Sequence, residues 1–240
     1  MRCNVFRPRS LLLIALVTVL ACGVVVIGLR YDAIRTQQGE SQANATPFLP
    51  PVVGGPRAIF IGDSYVSGAG ASDVSRRWSS LVSADIGWTE ENIAVGSTGY
   101  QLDAPECGAE RCGSFVDMAS FAVSLDAPIV VVGGGSNDFA EFVRDPTGVV
   151  NAIFDTFGTL RTGLPAARIV AVGPASAGNV PPFATAYEGV VRDAVTAVGG
   201  KFVSLTAPDI IDERMLLPDG VHVDDSGHAA IAEAVEQVLR

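Results

Sequence analysis

A few side chains in this sequence could together carry out acyl transfer. A serine hydroxyl is a weak nucleophile until a neighbouring base takes its proton. The chain has two histidines, His222 and His228, both in LPDGVHVDDSGHAAIA. Asp219 stands three residues before His222 on a Pro-Asp-Gly turn. Such a turn can aim the carboxylate at Nδ1 of the imidazole and leave Nε2 for a serine. His228 follows Ser226-Gly227, and Asp224 and Asp225 lie close by. It reads as a surface residue in the first turn of a closing helix, with Ser226 as N-cap. The candidate nucleophile is Ser64 in IGDSY, where an apolar run emerges from a Pro/Gly-rich stretch. Gly-Asp-Ser is also ordinary turn chemistry, so the reading of Ser64 depends on what the fold brings to it.

Acyl transfer needs donors for the oxyanion as well. Glycine-rich turns can offer backbone N–H groups, and a side-chain amide can serve too. Asn137 in GGGSND is such an amide. Its alternative is an Asx-turn that closes a strand.

The elements that would position these groups can be read from the hydropathy pattern. Strands are expected at residues 58–61, 92–95, 128–132, 168–172 and 201–205, as short apolar or β-branched runs bounded by Gly and Pro. Helical stripes fall between them: Trp78, Leu81, Val82 and Ile86; Phe115, Met118, Ala119 and Ala122; Val149, Val150, Ile153, Phe154, Phe157 and Leu160; Ala186, Val190, Ala194, Val195 and Val198; and Ile231, Ala234, Val235, Val238 and Leu239. Strands alternating with helices predict an α/β class domain, a three-layer α/β/α sandwich around a parallel five-stranded sheet. Ligands bind beyond the carboxyl ends of such strands. GDSY, GSTG, GGGSND and GPAS follow four strands in turn, so they should meet along one edge.

GDSY, NIAVGSTGY, GGGSND and DGVH, in this order and at these separations, resemble the SGNH (GDSL-type) hydrolases over roughly residues 57–240. The resemblance implies a flavodoxin-like fold and a serine esterase or lipase-like activity without metal or cofactor. It implies Ser64 as nucleophile and Asp219 and His222 as its triad partners. The oxyanion donors would be the Ser64 N–H, the Asn137 amide and a backbone N–H at Gly96 or Ser97. The family's glycine donor usually sits five residues after the Asn of the second block. Counting from Asn92 gives Ser97, and the neighbouring glycine is Gly96. Proline commonly follows the family's histidine, whereas Val223 stands here, and Tyr65 is a variant of the first block.

The first fifty residues differ from the rest. Residues 1–10 carry Arg2, Arg7 and Arg9 and no acid, and residues 11–29 are uncharged. As a helix those nineteen would span roughly 28 Å, close to a bilayer's hydrocarbon thickness. The flanking arginines predict a cytoplasmic N-terminus and an external body. A cleaved signal peptide and lipidation at Cys22 are the rival readings, and all three export the same domain. Residues 30–56 are then expected to form a flexible linker. All twenty-six acids and twelve of the sixteen bases lie beyond residue 30. That excess of fourteen negative charges disfavours nucleic acid as a partner. Cys107 and Cys112 sit in ECGAERCG and are expected to form a local disulfide in an oxidising compartment. With no histidine near, they make a poor zinc site.

The expected function is therefore a membrane-anchored, extracytoplasmic esterase acting on acylated lipids or glycans. An acyltransferase, or a catalytically silent protein binding acylated ligands, is the alternative.

Overall fold

The structure, a computed structural model, describes residues 54–105, 107, 112–176, 180 and 182–240. The expected anchor, the cysteines Cys3 and Cys22, and most of the linker lie outside the described residues. Among the described residues, no helix is long and apolar enough to cross a membrane.

Five parallel strands form one sheet: β1 Arg57–Gly62, β2 Thr89–Asn92, β3 Ile129–Gly133, β4 Arg168–Val172 and β5 Lys201–Val203, in the order β2-β1-β3-β4-β5. The helices, in chain order, are α1 Ser64–Ser67, α2 Trp78–Ile86, α3 Phe115–Leu125, α4 Phe139–Arg144, α5 Pro146–Gly163, α6 Pro182–Ala197 and α7 Asp225–Leu239. Alternate strand residues serve opposite faces. Ile59, Ile61, Val130 and Val132 pack with α3, α5 and α6. Ala58, Phe60, Val131 and Val170 pack with α2 and α7. The central strands are buried on both faces, which is why they read as continuous apolar runs. The expected α/β/α sandwich is the fold observed.

Strand β2 starts three residues earlier than its pattern suggested. Its sequence, TEEN, is polar because it is an edge strand, and Glu90 is buried against Arg77 at 3.1 Å. The expected segment 92–95 still follows β1, since the Ile93 and Val95 N–H groups donate to Phe60 and Gly62 at 2.9 Å. Two helical stripes are also corrected. Phe154 is 43% exposed. On α6 the buried residues are Ala184, Tyr187, Glu188, Val191, Ala194 and Val195, so the face is turned away from Ala186, which is exposed, while Val190 and Val198 pack half-buried at its margin. Burial of Tyr187 sets that turn: its ring meets Phe139 and Phe142 edge-on, with centroids 5.2 Å away.

The sheet order places a topological switch point between β1 and β3. Crossovers leave in opposite directions there and open a crevice at the carboxyl edge. Ser64 follows β1 and Asn137 follows β3, so both border that crevice.

Candidate active site

Ser64 opens α1, directly after β1 ends at Gly62. Asp63 caps this short helix, its carboxylate accepting the Tyr65 N–H at 3.0 Å. Gly68, in the left-handed region at φ 98°, ends it after one turn. The serine is thus held at the mouth of the crevice by a turn that cannot continue.

His222 arrives from the other end of the chain. Its Nε2 lies 3.0 Å from Ser64 Oγ, and its Nδ1 lies 2.8 Å from Asp219 Oδ2. With the Nδ1 proton donated to Asp219, Nε2 is left to accept from the serine hydroxyl. The other carboxylate oxygen, Asp219 Oδ1, accepts the N–H groups of Val221 and His222, both at 2.9 Å. Burial pushes the Asp219 pKa up, but these two N–H groups and the imidazole outweigh it and hold the carboxyl below its ordinary value. Asp219 therefore stays ionised beside the ring. The site is open, with the Asp219 side chain 40% exposed and that of His222 17%.

Behind the serine, buried carboxylates fasten the loops together. Asp63 is fully buried and reaches across to accept the Gly135 N–H at 2.9 Å. Burial, only partly offset by the Gly135 and Tyr65 N–H groups, pushes its pKa up to about 6. Gly134 has φ 100° and leaves no room for a Cβ beside this carboxylate. Asp138 accepts the Tyr100 N–H at 2.6 Å, the Leu102 N–H at 3.0 Å and the Tyr187 hydroxyl at 3.2 Å. Burial raises its pKa as well, against hydrogen bonds from the loop. Between the two carboxylates, Asn137 donates one Nδ2 hydrogen to Thr98 O at 2.8 Å. This fixes the amide plane, and an amide nitrogen carries a second hydrogen.

Gly96 and Ser97 form the turn after the extension of β2. Gly96 is buried, while Ser97 is exposed and adopts φ 66°. The structure thus gathers Ser64, His222, Asp219, Asn137 and the Gly96–Ser97 turn at one edge of the sheet. Cys107 and Cys112 are joined by a disulfide with Cα atoms 5.7 Å apart, in the loop that leads into α3. Among the described residues, no group of three or more His, Cys, Asp or Glu side chains could hold a metal ion.

His228 corrects the surface reading given to it. It is fully buried, its Nδ1 accepting the Trp78 N–H at 3.3 Å and its Nε2 donating to Ala69 O at 3.1 Å. Burial lowers its pKa. The N-cap of α7 is Asp224, which accepts from the Ser226 and Gly227 N–H groups, and not Ser226. Nothing in the sequence pattern marks Asp63, Asp138, Tyr65 and His228 as contributors to the site's architecture. The letters of Asp63 and Asp138 stand within GDSY and GGGSND, but a motif letter does not name a partner 72 residues away.

The model of the GDSL-like Lipase/Acylhydrolase family matches residues 60–230. GDSL lipase Rv0518 of Mycobacterium tuberculosis is 27% identical over 188 residues, which cover 75% of this chain and 79% of that protein. Among solved structures, that of TesA is similar at a TM-score of 0.61 and 18% identity, over 77% of this chain and 98% of that one. A carbohydrate acetylesterase from Sinorhizobium meliloti is similar at 0.59 and 18%, over 76% and 98%. At these identities the structural likeness is one of fold.

Proposed function

The chain belongs to the GDSL-like lipase/acylhydrolase family, and we propose that it is a membrane-anchored, extracytoplasmic serine esterase with Ser64 as its nucleophile. The observation that carries the reading is the unbroken Ser64–His222–Asp219 hydrogen-bond chain, at 3.0 and 2.8 Å.

Ser64 Oγ attacks the ester carbonyl carbon while His222 Nε2 takes the hydroxyl proton. Asp219 holds the ring in place and stabilises the imidazolium. The carbonyl π electrons move onto oxygen, and that oxyanion is met by the Ser64 N–H, the free Asn137 Nδ2 hydrogen and an N–H of the Gly96–Ser97 turn. A first-turn N–H such as that of Ser64 has no partner within its own helix. Collapse expels the alkoxide, which takes the proton from Nε2 and leaves an acyl-serine. Water, deprotonated by the same nitrogen, reverses the sequence and frees the acid. Every proton moves between Ser64, His222, substrate and water, so the scheme calls for no metal or cofactor.

The substrates are carboxylic esters of acylated lipids or glycans met outside the membrane. The exposure of Asp219 supports an open site suited to short acyl groups on a large leaving group. The same openness would admit an acceptor hydroxyl in place of water, so transfer is the second reading. A fold likeness to a salicylyl-acyltransferase of a tetracycline biosynthetic pathway, at 19% identity, is compatible with it. The anchor rests on the uncharged run at residues 11–29.

The test is fluorophosphonate labelling of the purified protein, with p-nitrophenyl ester turnover from acetate to palmitate and Ser64→Ala as control. Labelling confined to Ser64 and turnover abolished in the variant are expected. A folded protein that binds acylated ligands but neither labels nor turns over would instead be a binding protein. Product formed only with an added acceptor would identify a transferase. Carbonate-resistant membrane association that disappears when residues 1–30 are deleted is the outcome expected of an anchor. Release into the medium of a protein that has lost its N-terminal segment would favour cleavage.

A further inference from the structure

Ser64 and His222 lie 158 residues apart, and the turn that bears His222 is exposed. Several bonds shape that turn internally. Asp219 Oδ1 accepts from Val221 and His222, Leu217 N–H donates to His222 O at 2.8 Å, and Asp224 N–H donates to Met215 O at 2.8 Å. All of these run between residues 215 and 224. They set the shape of the turn but not its distance from Ser64.

Tyr65 supplies a bond that does cross. Its hydroxyl donates to the carbonyl oxygen of Val221. The donor is the neighbour of the nucleophile in sequence, and the acceptor is the neighbour of the base. The Tyr65 ring is buried, 7% exposed, and tilts against the imidazole with centroids 6.0 Å apart. Val223 follows His222 in this chain and does not lock φ as a proline ring would. The fully buried Val223 side chain anchors the turn in the core on that side of His222, and the Tyr65 bond holds it on the other side, at Val221.

We propose that Tyr65 is a positioning residue whose hydroxyl, tied to the Val221 carbonyl, sets the separation of His222 Nε2 from Ser64 Oγ. This rests on the esterase reading above. Burial, and then the negative charges of Asp63 and Asp219, raise the Tyr65 pKa well above its ordinary value, so the hydroxyl remains a donor. Asp63, Asp219 and His222 are the titratable groups that face it.

The experiment uses the full chain in detergent and the variant Tyr65→Phe, which keeps the ring and its packing and removes only the oxygen. The expected result is a kcat about 10- to 100-fold lower with KM within about threefold, as a small misplacement of reacting groups produces. The rate of fluorophosphonate labelling should fall in parallel. Hydrogen exchange of the Val221 and His222 amides should speed up, while amides in β3 and β4 stay as protected as in the parent. Unchanged kcat and unchanged exchange at Val221 and His222 would overturn the proposal. Uniformly faster exchange throughout the domain would overturn it too, because Tyr65 would then be a core residue only. If the parent protein turns over no ester, the esterase reading fails, and exchange at Val221 and His222 still decides whether Tyr65 holds the turn.

Discussion

Asp63, the residue immediately before Ser64, accepts the Gly135 N–H at 2.9 Å and so ties the loop after β1 to the loop after β3. One fully buried carboxylate thus positions both the helix bearing Ser64 and the loop bearing Asn137. Burial is the main cause of its raised pKa, about 6 against 3.8. The sign follows from proton counts. Between roughly pH 4 and 6 the folded protein keeps a proton that the unfolded chain has released, so stability falls as pH rises and levels off above 6. At 1.36 kcal/mol per pH unit the change is about 3 kcal/mol. Denaturant unfolding of the parent and of Asp63→Asn from pH 4 to 8 checks this. The parent's stability relative to the variant should decline by about that amount up to pH 6 and then stay constant.

Asn137→Ala removes the amide that the proposed mechanism assigns to the oxyanion. Loss of one such donor typically costs about 10²- to 10³-fold in kcat. KM should change little, because the donor acts where charge develops. The bond to Thr98 O is lost too, so steady-state kinetics should be paired with thermal unfolding to show that the variant stays folded at the assay temperature.

His228→Ala should separate the two histidines by their work. The imidazole bridges the Trp78 N–H and the Ala69 carbonyl in a fully buried position. Its removal leaves both groups without that partner, at about 1–3 kcal/mol each where they stay dry. A clear drop in unfolding midpoint is expected. Active-site labelling of the fraction that remains folded should proceed, in contrast with His222→Ala, where labelling should be lost.

Ser97 carries a side chain at φ 66°, where glycine is favoured. Ser97→Gly should relieve strain of about 1 kcal/mol. The gain is offset in part by the greater freedom of glycine in the unfolded chain. The net effect on the unfolding midpoint should be small and of either sign, whereas turnover should stay within a few-fold. A backbone N–H serves an oxyanion from either residue type, and a large loss of turnover would show that the serine side chain matters.

Much of the fold could be read directly because the central strands are buried on both faces. Val130, Val131 and Val132 leave few alternatives to an interior strand. Hydropathy fails as a guide where burial is specific and not periodic. In β2, Glu90 is inside because Arg77 meets it there. On α6, Tyr187 and Glu188 turn the buried face, and no hydropathy pattern places a glutamate in a core. His228 reads as a surface residue because two charged aspartates stand close to it in sequence, whereas its own ring points inward, to Trp78 and Ala69.

The sequence by itself narrowed the candidates for the reacting groups. Each of its two histidines has an aspartate three residues before it, but only Asp219 and His222 share a Pro-Asp-Gly turn, and residue chemistry is local information. It also determined that the glycine-rich loops would share an edge, since parallel strands align their carboxyl ends. Only the tertiary structure decided how those groups are held. The 3.0 Å between Ser64 and His222, the reach of Asp63 to Gly135 and the tie from Tyr65 to Val221 each join segments more than seventy residues apart. Such distances arise from the packing of α2 and α7 on one face of the sheet and from loops braced by buried carboxylates. Neither has a signature in local spacing.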